Sequence, residues 1–63
     1  MEYVIHTPNY TFNIKSIGFI NEFTEFFEFE VAGEKTAIDG DILKELSSGD
    51  LFLDLPIIKI ERK

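Results

Sequence analysis

Residues 20–38 read INEFTEFFEFEVAGEKTAI, and the choice between helix and strand for this stretch decides the fold. Phe19, Ile20, Phe23, Phe26 and Phe27 fall at helical spacing. The second half has a different period. Phe27, Phe29 and Val31 alternate with Glu28 and Glu30, and Ala32-Gly33-Glu34 then supplies a turn before residues 35–38. Successive side chains on a strand point to opposite faces, so residues 26–38 are predicted to form a hairpin with Phe27, Phe29 and Val31 toward a core and Glu28 and Glu30 toward water. Residues 21–24 become the preceding loop, which holds Phe23, while Phe26 shares the glutamate face.

The flanking segments also have strand character. Residues 2–6 stop at Thr7-Pro8-Asn9, where proline presets one turn position and asparagine tolerates the next. Over residues 10–20, Tyr10, Phe12 and Ile14 share one face, whereas Ile17 and Phe19 have the opposite phase, and such a slip requires a bulge or bend. Leu51, Leu53 and Leu55 keep one phase, Pro56 interrupts, and Ile58 and Ile60 continue in the other. Strands that change face midway suit a small, strongly curved sheet in which one strand serves both halves. Asp39-Gly40-Asp41 precedes a helix predicted over residues 41–47, with Ile42, Leu43 and Leu46 as its apolar side and Gly49 placed to end it. The expected fold class is mainly β (β-rich α+β). One domain over residues 1–63 would form a curved antiparallel sheet or partly open barrel of five to six short strands, with one short helix near 41–47.

Composition narrows the function. A chain of 63 residues removes only about 60% of its unfolded surface from water, so it builds one small core. There is no cysteine, hence no disulfide to support that core, and a cytoplasmic location is expected. No signal peptide or apolar run of membrane-spanning length is visible. Twelve acids against six bases give a net charge of −6, which disfavours direct contact with nucleic acid or an anionic membrane. The acids cluster: Glu22, Glu25, Glu28, Glu30 and Glu34 occur with no basic residue between Lys15 and Lys35.

Catalytic, cofactor and metal sites are not expected. His6 is the only histidine, and no local motif announces a nucleophile for it. Asp39, Asp41 and Glu45 lack the ligand series of a calcium loop and are better explained as helix-start acids. The glycines at 18, 33, 40 and 49 are isolated, which excludes a Gly-rich phosphate loop.

The remaining feature is the acidic, aromatic block. It points to a small protein-binding domain that acts as an inhibitor or regulator of a larger protein with a basic surface. Glu22, Glu25, Glu28 and Glu30 would supply the charge, and Phe23 and Phe26 the apolar anchors. Compact, acidic, cysteine-free proteins that block nucleic-acid enzymes, such as phage anti-defence factors, have a similar composition. A single strand cannot imitate a duplex, because its same-face charges lie roughly 6.7 Å apart against one charge per ~1.7 Å of duplex axis. A nucleic-acid mimic would therefore need the hairpin to converge with Asp39, Asp41 and Glu45. The alternative is a self-associating subunit, such as a homodimer, in which an exposed strand edge with Phe52 and Ile57 completes a core that one chain cannot close.

Overall fold

In the computed structural model, which describes residues 1–63, the opening stretch is strand. Phe27 and Phe29 are buried on β3 (Glu25–Val31), and Glu28 and Glu30 lie on its other face. Ala32 and Gly33 form a two-residue turn into β4 (Glu34–Asp39), pairing Val31 with Glu34. Upstream lie β1 (Glu2–His6) and β2 (Thr11–Phe19); downstream are α1 (Gly40–Glu45), β5 (Leu51–Phe52), β6 (Leu55–Pro56) and β7 (Lys59–Arg62). Five strands form an open antiparallel sheet in the order β4-β3-β2-β1-β7, and β5 and β6 form a separate small hairpin. No helix is long and apolar enough to cross a membrane.

The sheet has one inner face. Tyr3 and Ile5 of β1, Phe12 and Ile14 of β2, and Phe27 and Phe29 of β3 form it, and Leu43 of α1, Phe52 and Ile57 cover it. The covering ring of Phe52 lies 5.2 Å from both Phe12 and Phe29, edge-on to the first and tilted against the second. Tyr3 meets Phe27 edge-to-face at 5.2 Å, and the Arg62 guanidinium sits 5.6 Å over the Tyr3 ring. Such pairs add to the burial of the rings themselves.

Several expectations change in detail. The two phase slips do not carry strands into a second core, because Ile17 and Phe19 are exposed and the sheet stays open. Residues 51–55 are no single strand: Leu53 and Asp54, both at positive φ (54° and 62°), turn the chain back and expose Leu51 and Leu53. Phe52 and Ile57, assigned above to an interface, are only 5% and 3% exposed within the chain's own core. Val31 is exposed at the hairpin end. The helix is shorter than 41–47. Asp39 caps it by accepting from the Asp41 N–H at 2.7 Å, and it stops at Leu46, whose extended backbone ends the turn before Gly49. Leu43 is its buried residue, Leu46 packs at the core margin, and Ile42 faces water.

The turn at Ala32-Gly33 yields a stability test. Both residues have positive φ, 52° and 84°, the two-residue geometry that favours Asn-Gly. Alanine pays a steric penalty there that asparagine largely escapes. Ala32→Asn is therefore expected to raise stability by about 0.5–1 kcal/mol, measured as a higher urea midpoint at unchanged slope. A lowered midpoint would show that Ala32 makes a contact worth more than the turn preference.

Candidate interaction surface

The passage from β2 to β3 is built by a bulge and a side-chain-anchored loop. Pairing steps from Ser16 opposite Phe27 to Gly18 opposite Phe26, which leaves Ile17 without a partner. Gly18 holds φ at 112°, open to glycine and strained for other residues. Beyond it the chain turns through residues 20–24. The Ile20 N–H donates to the Thr24 carbonyl at 3.0 Å, and the Asn21 side-chain oxygen accepts from the N–H groups of Phe23 and Thr24 at 2.8 and 2.9 Å. Asparagine is suited to this turn because its short side chain reaches the backbone two residues on. The loop thereby presents Phe23 at 82% exposure.

Phe23 is not alone. Ile17, Phe19 and Ile20 are exposed at the same end, and Met1 joins them through its carbonyl, which accepts from the Ser16 N–H. Scattered apolar residues on a surface need no explanation, but four large exposed ones within seven positions at one end of a protein this small make that end a candidate interaction surface. Phe19, Ile20, Ile17 and Met1 were not among the sequence candidates. Their signal was the out-of-phase pair around Gly18, readable only once the strand was known to have a single core face.

The six sequence-derived candidates separate into two groups. Glu22 and Phe23 stand on the loop, and Glu25 opens β3 opposite Phe19, its carboxylate accepting from the Ser16 hydroxyl. Phe26, Glu28 and Glu30 lie on the outer face of the sheet, with Phe26 half-buried opposite Gly18.

That face is not uniformly acidic. Lys15 pairs opposite Glu28, Lys35 pairs opposite Glu30, and Lys35 Nζ lies 4.0 Å from Glu28 Oε1. The two lysines that bound the acidic block in sequence thus meet it in space. Asp41 and Glu45 ride on α1, which packs beneath the opposite face through Leu43, so they do not converge with Glu28 and Glu30.

Two other features lie away from this end. His6 Nε2 lies 3.2 Å from Glu61 Oε2 and Lys59 Nζ 3.3 Å from Glu61 Oε1. The His6 hydrogen bond first, and Lys59 second, hold the Glu61 carboxyl below its ordinary range. The three form a solvated cross-strand cluster. An apolar cleft of about 480 Å³ lies between Tyr10, Phe12 and Val31 and the β5–β6 hairpin residues Leu53 and Leu55, with Glu30 its one charged lining group. No group of three or more potential metal ligands converges. No family model matches the chain, and neither the curated proteins nor the solved structures contain a match, so its functional reading rests on the surface it presents.

Proposed function

We propose that this chain is a cytoplasmic protein-binding domain that inhibits or regulates a larger protein by occupying a site on it. The single observation that carries this reading is the exposed apolar end made by Ile17, Phe19, Ile20 and Phe23. The loop's own hydrogen bonds fix that end before binding, so little ordering entropy is lost when a partner closes over it. Glu22 beside the aromatic group and the net charge of −6 favour a partner whose pocket has a basic rim. Phe23 is the central anchor and Glu22 a steering group. Glu28 and Glu30 contribute less than the sequence suggests, because Lys15 and Lys35 offset them.

A partner captured from the source cell, then purified, provides the test. Phe23→Ala is expected to weaken binding by about 2 kcal/mol or more, near thirtyfold, mainly through faster dissociation. Glu22→Lys should instead slow association and flatten its salt dependence. Unchanged affinity in a folded Phe23→Ala variant would remove the apolar end from the interface.

A further inference from the structure

Near one edge strand, β7, the segment between α1 and β5 bonds to residues 57 and 58, just before the strand, and to the Arg62 side chain. The Gly49 N–H donates to the Ile57 carbonyl at 3.0 Å, the Ser48 hydroxyl to the Ile58 carbonyl at 2.9 Å, and the Arg62 guanidinium reaches the Leu46 carbonyl. Nothing comparable covers β4. Its first four residues are exposed, and it contains no proline, glycine or bulge. Val31 and Glu34 close a two-residue turn and form a hydrogen-bonded pair, so alternation directs the main-chain groups of Glu34, Thr36 and Ile38 toward β3. Those of Lys35, Ala37 and Asp39 point outward from the sheet. No loop, turn or cap hydrogen bond involves the backbone of Lys35 or Ala37.

An unpaired edge of this kind templates another strand unless it is blunted, and a lysine in its middle is a common blunting device. Here the lysine has a match. In an antiparallel pairing of β4 with itself about a two-fold axis at Ala37, the outward groups of Ala37 bond to their own copies. The Asp39 N–H reaches the partner's Lys35 carbonyl, the Asp39 carbonyl being used by the first turn of α1. The same register sets Lys35 opposite the partner's Asp39, and Thr36 opposite the partner's Ile38. An axis at Lys35 would face like charges, and one at Thr36 would set Glu34 against the partner's Ile38 and leave Lys35 and Asp39 unmatched. Only the axis at Ala37 is complementary in both charge and backbone.

We propose that β4 is a self-association edge, joining two copies into one continuous sheet through Ala37 with reciprocal Lys35–Asp39 pairs. The outer faces of the two copies, each bearing Glu28 and Glu30, then run on as one surface, while both apolar ends stay free. The proposal does not depend on the binding role assigned to Phe23.

Sedimentation velocity from micromolar to roughly millimolar concentration tests it. The wild-type mass is expected to double with concentration. Ala37→Pro, which removes an outward N–H and no intrachain ladder bond, should stay monomeric with an unchanged circular dichroism spectrum. Lys35→Glu should weaken dimerisation about tenfold or more by setting like charges opposite each other twice. Because the chain has no cysteine, Ala37→Cys should cross-link to itself under oxidised glutathione and Lys35→Cys should not, since only the axial residues come within disulfide reach. A monomer at every concentration, a dimer indifferent to both Ala37→Pro and Lys35→Glu, or cross-linking at Lys35 without cross-linking at Ala37 would overturn it.

Discussion

Phe52→Ala is expected to lose about 3–5 kcal/mol of stability, whereas Leu51→Ala beside it should change stability by less than about 0.5 kcal/mol. Phe52 is buried against Phe12 and Phe29 with both ring centroids 5.2 Å away, and Leu51 is exposed. Truncating Phe52 leaves the β5–β6 hairpin without its main hold on the sheet and opens a cavity over two other aromatic rings. At roughly 0.05–0.15 kcal/mol per residue, a protein of 63 residues has about 3–9 kcal/mol of stability, so this loss removes about half of it or more. Urea denaturation should therefore find the midpoint of the variant lowered by about half or more. A folded Phe52→Ala monomer that had lost only self-association would instead restore Phe52 to an interface.

Gly40→Ala is expected to destabilise by about 1–3 kcal/mol, against the ordinary helical preference that favours alanine over glycine by about 1 kcal/mol. Gly40 opens α1 where the helix crosses β3, and a β-carbon there would lie 2.7 Å from the Glu25 carbonyl oxygen and 2.9 Å from Phe27 Cε1. The first neighbour is backbone and the second a buried ring, so neither yields cheaply. Thermal unfolding would register the loss as a fall of about 4–8 °C per kcal/mol for a domain of this size. A rise in melting temperature would mean that α1 can lift from β3, and that its packing through Leu43 is looser than described.

The hairpin over β3 and β4 was legible because two independent signals agreed, the alternation of Phe27 and Phe29 with Glu28 and Glu30 and the turn at Ala32-Gly33. The β5–β6 hairpin was not, because its turn is made by Leu53 and Asp54 at positive φ, with no glycine or asparagine to mark it. Three leucines in one phase then passed for a strand, and Phe52 and Ile57 were placed outside the core that they close. Of the candidate surface, the loop position of Glu22 and Phe23 was legible from the break in alternation before β3. The split between that loop and the outer face carrying Phe26, Glu28 and Glu30 depends on a single bulge at Ile17, and the neutralising positions of Lys15 and Lys35 depend on strand register. Neither is written in local sequence.

The backbone amide footprint of the purified partner on isotopically labelled protein, followed by nuclear magnetic resonance titration, tests the central claim most directly. The largest changes are expected from Ser16 through Glu25, centred on Phe23, with α1 and the β5–β6 hairpin unmoved. A footprint confined to the Tyr10–Leu53 cleft or to α1, leaving the Phe23 loop unchanged, would contradict it.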